Sequence, residues 1–235
     1  MTYDPYVEPG ISLRPLGIVV RVVLLIDVLL NAILIPELIR QRSLVQDLAS
    51  DPGSVSEGDA TSVDDTVSTL SHVLLGALII TAVLFAIWFY RARVNADGFD
   101  ERAHRWARPW AFWGWVCPIA NLWFPYQVAT DILRASDREP GSRSSDRTGY
   151  PLFRAWWAFW LGAFVSNRLV AANDQLTDID KILRYENLEI ADSVVEIIVG
   201  VLAILVVGKI TASNDRFRAT VLAAPGLPAP RPDAG

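Results

Sequence analysis

Little in this chain lends itself to ligation or redox chemistry. Cys117 is the single cysteine, so no internal disulfide framework can form, and the redox compartment stays undecided. Histidine is nearly as scarce, and His72 and His104 together with Cys117 do not make a zinc-type ligand set. Lysine is reduced to Lys181 and Lys209 against nineteen arginines, and the 26 acids outnumber the 21 basic residues, for a net charge of −5. A chain of that sign presents no general basic face, and nucleic acid is not expected as a partner. No Ser/His/Asp set, Gly-rich phosphate loop or metal motif stands out. The expectation is a protein that is not an enzyme and carries no cofactor.

What the chain has instead is apolar surface, with 52% of its 235 residues hydrophobic. These residues are gathered into runs of roughly the 20 that a bilayer core requires. Four such runs, about 16–36, 68–90, 152–172 and 190–209, predict four transmembrane helices. The first is too long for the apolar core of a signal peptide, contains Asp27, and is followed by no small-residue cleavage site, so it reads as uncleaved. Residues 1–15, broken by prolines, predict a flexible tail, and the Pro-rich residues 212–235 a disordered one. Between them, residues 16–211 are expected to form a single transmembrane helical domain. Residues 37–68, with seven acids against Arg40 and Arg42, read largely as a solvated loop after a possible amphipathic turn or two. Residues 173–189 are acidic and amphipathic, the pattern of a helix lying on a membrane surface.

The centre of the pattern is the segment 107–136, preceded by Trp106. With that residue it holds five of the nine Trp (Trp106, Trp110, Trp113, Trp115 and Trp123), together with Cys117 and the prolines Pro109, Pro118 and Pro125. It is too apolar for a solvent loop. Pro118 and Pro125 each remove a backbone donor and clash with a preceding carbonyl, so a continuous helix across both would be kinked or interrupted. Irregular backbone at membrane depth survives only where protein or a water-lined cavity satisfies its polar groups. Asn121 and Gln127 can serve that purpose as structural stitches, or they can hold a ligand.

Charge counting decides between a segment that crosses and one that returns. If 107–136 re-enters or lies at the interface, and the N-terminus is cytoplasmic, fourteen Lys and Arg fall inside and four outside. If it crosses, the numbers become eight and ten. Arg-rich short loops are retained in the cytoplasm, so the first arrangement is favoured, with both termini cytoplasmic in a multi-pass cell-membrane protein. That topology also places all nine Trp at the cytoplasmic interface, which suits their apolar rings and polar N–H groups. The predicted fold is therefore an all-α membrane protein with four transmembrane helices and one Pro-broken re-entrant or interfacial segment.

Two sets of polar residues are candidates for function. Arg91, Asn95, Asn121, Gln127, Asp131 and Arg134 would flank a ligand or partner site on the broken segment. Within the spans, Asp27 and Asn31 share one helix face and Asp192 and Glu196 another. Arg168 and Glu196 lie at similar depth and are expected to form an intramembrane polar pair. The leading expectation is a non-enzymatic membrane component that binds a lipid, or a membrane or cytoplasmic protein partner, through a Trp/Arg face. The alternative is a small transporter or channel with its site at the break around Asn121 and Gln127.

Trp88, Tyr90, Arg91 and Asn95 precede Gly114, Trp115, Pro118, Asn121, Leu122, Trp123, Pro125, Tyr126, Gln127, Asp131 and Arg134. Together they form the pattern W-x-Y-R-A-x-x-N-A, then G-W-x-x-P-x-x-N-L-W-x-P-Y-Q, then D-x-x-R-A-S. This pattern resembles the bacterial membrane family called domain of unknown function 4328, over about residues 70–210. The resemblance implies an integral membrane protein and brings no activity with it.

Overall fold

A computed structural model describes residues 10–51, 53–99, 104–137, 150–171 and 179–223. Among these residues six α-helices run in order: α1 Arg14–Ser50, α2 Glu57–Phe99, α3 Trp110–Val116, α4 Phe124–Ser136, α5 Tyr150–Ala171 and α6 Ile179–Ala223. A 3-10 turn, Ala120–Leu122, separates α3 from α4, and no strand occurs among the described residues. Helices α1, α2 and α6 are long and apolar enough to cross a membrane. Their outward faces are rich in bare aliphatic groups, such as Ile18, Val22 and Leu29 on α1 and Leu75, Ile79 and Val83 on α2. This exposure suits helices solvated by hydrocarbon. At 22 residues α5 has the length of a span, and it carries Arg154, Arg168 and three Trp.

The helices outrun the predicted spans at both ends. Pro36 does not stop α1, which continues to Ser50, and the connection to α2 shrinks to residues 51–56. Most of the expected solvated loop is therefore helical. Leu38 is buried, and side-chain bonds fasten the extension: Gln41 Nε2 donates to Asp64 Oδ1 at 3.0 Å, and Arg42 Nε to Asn187 Oδ1 at 2.8 Å. Ser56 caps α2, its Oγ accepting from the Asp59 amide at 3.1 Å and donating to Asp59 Oδ2 at 2.7 Å. Glu57 and Asp59 add negative charge in the first turn, where the helix dipole favours it.

Residues 179–189, expected on the membrane surface, and residues 212–223, expected as tail, both belong to α6. Residues 173–178, 1–9 and 224–235 lie outside the described set, so the tails proposed there are not addressed. Residues 10–15 are not a free tail. Leu13 N donates to Asp215 Oδ1 at 3.0 Å and Ser12 Oγ to Asp215 Oδ2 at 3.2 Å, so a carboxylate on α6 caps the start of α1.

By internal contacts the chain divides into two compact units. The first takes its described residues from Met1–Ile18, Phe85–Phe153 and Val207–Gly235. The second comprises Val19–Leu84 and Arg154–Val206. Each has a close helix approach secured by glycine. In the first unit, a Cβ on Gly17 would fall 2.5 Å from Thr211 Oγ1, and that hydroxyl also accepts the Trp88 indole N–H at 3.1 Å. In the second, a Cβ on Gly200 would fall 2.6 Å from Val28 Cγ2. Trp88, Trp156 and Trp157 are buried packing groups rather than members of an exposed belt.

Candidate functional site around the broken segment

The prolines of the broken segment sit where their missing donors are not required. Helix α3 ends at Val116, and Cys117 turns extended (φ −75°, ψ 116°) while its amide still reaches Trp113 O at 2.9 Å. Pro118 leads into the short turn, where Asn121 N bonds Cys117 O at 2.8 Å. Pro125 falls in the first turn of α4, where an amide donor would have no helical acceptor. Gly114 lets α3 and α4 meet, since its Cβ would lie 3.2 Å from Phe124 Cβ. Around that contact Trp106, Trp110 and Phe124 form an aromatic cluster, with ring centroids 4.2 Å apart for Trp106–Phe124 and 4.6 Å for Trp110–Phe124. Phe85 and Phe89 hold Trp115 edge-on from α2.

Three of the predicted site residues gather on α4. Asp131, 1% exposed, shares the buried face with Val128 and Ile132. Its carboxylate takes two prongs from Arg105, Nη2 to Oδ1 at 2.9 Å and Nε to Oδ2 at 3.1 Å, and also accepts the Arg105 amide at 3.2 Å. Arg134 stands 3.5 Å from the same carboxylate. Gln127 Oε1 accepts the Trp106 indole N–H at 2.7 Å, and its carbonyl accepts Arg105 Nη2 at 3.2 Å. Planar two-pronged pairing of this kind fixes both partners.

Asn95 belongs to a different network. Its Nδ2 donates to Ile11 O at 2.7 Å and to Asn214 Oδ1 at 2.8 Å, and its Oδ1 accepts the Ile11 amide at 3.2 Å. Asn214 Nδ2 continues to Ser136 Oγ at 3.1 Å. Asn95 is therefore a structural tie joining the N-terminal segment, α2, α6 and the end of α4. Arg91 is exposed on α2. Asn121 Oδ1 is enclosed without a hydrogen-bond partner.

A second carboxylate, absent from the candidates, organises the region just before α3. Asp97 pairs with Arg93 and Arg108, His104 Nε2 lies 3.6 Å from Asp97 Oδ1, and Arg93 Nη2 donates to Trp106 O at 2.7 Å. Burial pushes the His104 imidazole below its ordinary pKa, with Arg93 adding to the effect. The Ala96 carbonyl, Asp97 and Asp131 pull the other way. Sequence reasoning missed Arg93, Asp97, Arg105 and Asn214. The arginines had been counted only as topology determinants, and their pairing with one buried acid each is not periodic. One signal was legible: Asp131 shares a helical face with apolar Val128 and Ile132, so it needed a cation.

The expected Arg168–Glu196 pair is not formed among the described residues. Glu196 Oε1 instead accepts from Asn167 Nδ2 at 2.9 Å, and the Arg168 guanidinium lies over the Phe164 ring, 5.3 Å from its centroid. The neighbouring amide reaches the acid, while the longer cation turns onto an aromatic face.

The outer side of the broken segment is apolar: Phe112, Trp113, Val116, Ile119 and Trp123 are all exposed. Beside it, Arg105 and Arg134 (44% exposed side chains) and Arg108 (56%) each anchor on a buried carboxylate and keep donors at the surface. Such an arrangement can receive an anionic group next to an apolar phase. No described group of three His, Cys, Asp or Glu converges as a metal-ligand set. No curated protein and no solved structure matches the chain. The sequence model of the family described as Domain of unknown function (DUF4328) matches residues 51–212, which include α2, the broken segment, α5 and most of α6. A match over well more than half of the chain, with the broken segment at its centre, makes this protein a member of the DUF4328 family.

Proposed function

We propose that this protein is a non-enzymatic multi-pass membrane component. In this reading α1, α2, α5 and α6 span the cell membrane, and the segment 107–136 re-enters or lies in the cytoplasmic interface. Both chain termini are then cytoplasmic. The Trp/Arg face of the segment binds an anionic surface, lipid headgroups foremost, or a partner protein that presents acidic groups there. One observation carries the reading: exposed Trp113, Ile119 and Trp123 lie along the segment whose neighbouring Arg105, Arg108 and Arg134 are half exposed yet anchored by Asp131 and Asp97. Trp is favoured at membrane interfaces, and each basic group near an anionic surface is favoured by about 1 kcal/mol.

The test is retention of phosphatidylglycerol by the detergent-purified protein, counted by native mass spectrometry. The Arg108→Gln/Arg134→Gln double variant should carry fewer bound anionic lipids than the parent, with neutral lipids unaffected. Equal retention would remove the lipid reading. A fluorophore on Cys117, which is exposed and the chain's sole thiol, should be quenched by lipid-borne quenchers if the segment dips into the bilayer.

A second reading, a small transporter with its site at the break, draws on the enclosed and unpartnered Asn121 Oδ1. Broken helices serve transporters by offering free backbone groups to a substrate. Water-accessibility labelling of single cysteines placed along 118–127 separates the two. A labelled track favours a transporter, and a dry segment favours the docking surface.

A further inference from the structure

The second unit contains a set of carboxyl groups that the broken segment does not use. Asp27 on α1 is 9% exposed, and its Oδ1 is enclosed with no hydrogen-bond partner. Beside it on α2 stands Thr81, 4% exposed, whose Oγ1 is likewise enclosed and unpartnered. Threonine in a helix ordinarily donates to the carbonyl one turn back. Thr61 and Thr66 of the same helix do so at 2.8 Å each, but Thr81 does not. Asn31, one turn along α1, donates to the Asp27 carbonyl at 3.1 Å and stiffens that turn.

The opposing helix supplies the second acid. Gly200 of α6 crosses Val28, the residue after Asp27, and Glu196 lies one turn from that crossing. Glu196 is near enough to Asp27 and Asp192 to feel both charges. From α5, Asn167 bonds Glu196. Arg168, next to Asn167 on α5, lies over Phe164. No ion pair among the described residues reaches Asp27, Asp192 or Glu196. Further along α6, Glu186 and Glu189 are also acidic, with Arg42 of α1 bonded to Asn187. Mutually repelling carboxylates, placed in helices apolar enough to cross a membrane and without a counter-cation, require a small cationic ligand. A buried carboxyl without a counter-cation is neutralised most directly by taking up a proton.

We propose that Asp27 and Glu196, with Thr81 and Asn167 as their hydrogen-bonding neighbours, form a proton-binding site between α1, α2, α5 and α6. The proposal rests on the membrane-spanning character of these helices and is independent of what the Trp/Arg face binds. Once protonated, Asp27 can donate through its O–H, and Thr81 Oγ1 can accept it. Protonation also removes the repulsion between Asp27 and Glu196.

The experiment uses the full chain in native membrane vesicles and dicyclohexylcarbodiimide, which adds a protonated carboxyl across its C=N bond only in apolar surroundings. Peptide mapping by mass spectrometry should find the adduct on Asp27 or Glu196, with yield falling as pH rises. Asp27→Asn and Glu196→Gln should each lose the adduct at their own position. Absence of label at both acids over the whole pH range overturns the proposal, as does protection by Na⁺ at constant pH, which would assign the site to a metal cation. If either variant fails to fold, infrared spectra of the parent protein decide. A protonated-carboxyl carbonyl band that disappears at high pH supports the site, and its absence at every pH sinks it.

Discussion

Asn95 shows how much one amide can tie together. Its side chain bonds both backbone groups of Ile11 and the Asn214 amide, and Asn95 itself is buried. Asn95→Ala should therefore cost about 1–3 kcal/mol for stranded buried partners. The check is a lowered midpoint in thermal unfolding in detergent, followed by Trp fluorescence. Gly10 beside it has φ +62°, and a Cβ there would sit 2.6 Å from Asn95 Oδ1. Gly10→Ala should then destabilise through both left-handed strain, about 1–2 kcal/mol, and the clash. His104 gives a pH signature. Because its folded pKa is lowered below the ordinary value near 6.5, the unfolded chain takes up the proton first. Its stabilising contribution is complete above pH ~6.5 and falls as the pH drops from there toward the folded pKa. Thermal midpoints measured at stepped pH should show a steeper acid limb for the parent than for His104→Gln.

In the broken segment Gly114 sets how closely α3 and α4 approach. Even a methyl there meets Phe124 Cβ at 3.2 Å, so Gly114→Val should push α3 from α4 and loosen the Trp106–Trp110–Phe124 cluster. The expected readout is faster maleimide labelling of Cys117 with the long helices still intact by circular dichroism. Ser56→Ala should cost about 1 kcal/mol as a lost cap and fray the start of α2. The contrast between these positions explains what could be read in advance. Pro118 and Pro125 announced an interruption because proline acts through its own ring, and the structure breaks the helix there. Ser56 and Asp59 form a legible capping pair, but they were hidden in a run of Gly, Ser and Asp that looks like solvated loop. Leu38 gave no hint that α1 would continue past Pro36, since its burial depends on packing within the second unit.

Distant pairings were the least legible. The apolar runs of α1, α2 and α6 could be seen because each carries its own signal over twenty residues. Asp215 capping α1 and Asn214 meeting Ser136 carry none, because each joins residues far apart in the chain. The same gap explains why Arg168 was matched to Glu196 by depth when Asn167 reaches it. For the proposed topology, reporter fusions near Ser144 and after Gly235 should both signal cytosol, and a periplasmic signal from either would reverse the orientation. The bond from Leu13 to Asp215 has a consequence for biogenesis. The first helix leaves the ribosome with its opening turn unfinished and must wait about two hundred residues for its cap. Until then the leading segment is an incomplete client for membrane quality control, and chains shortened before Asp215 should be cleared by proteolysis even though every apolar run is already in place.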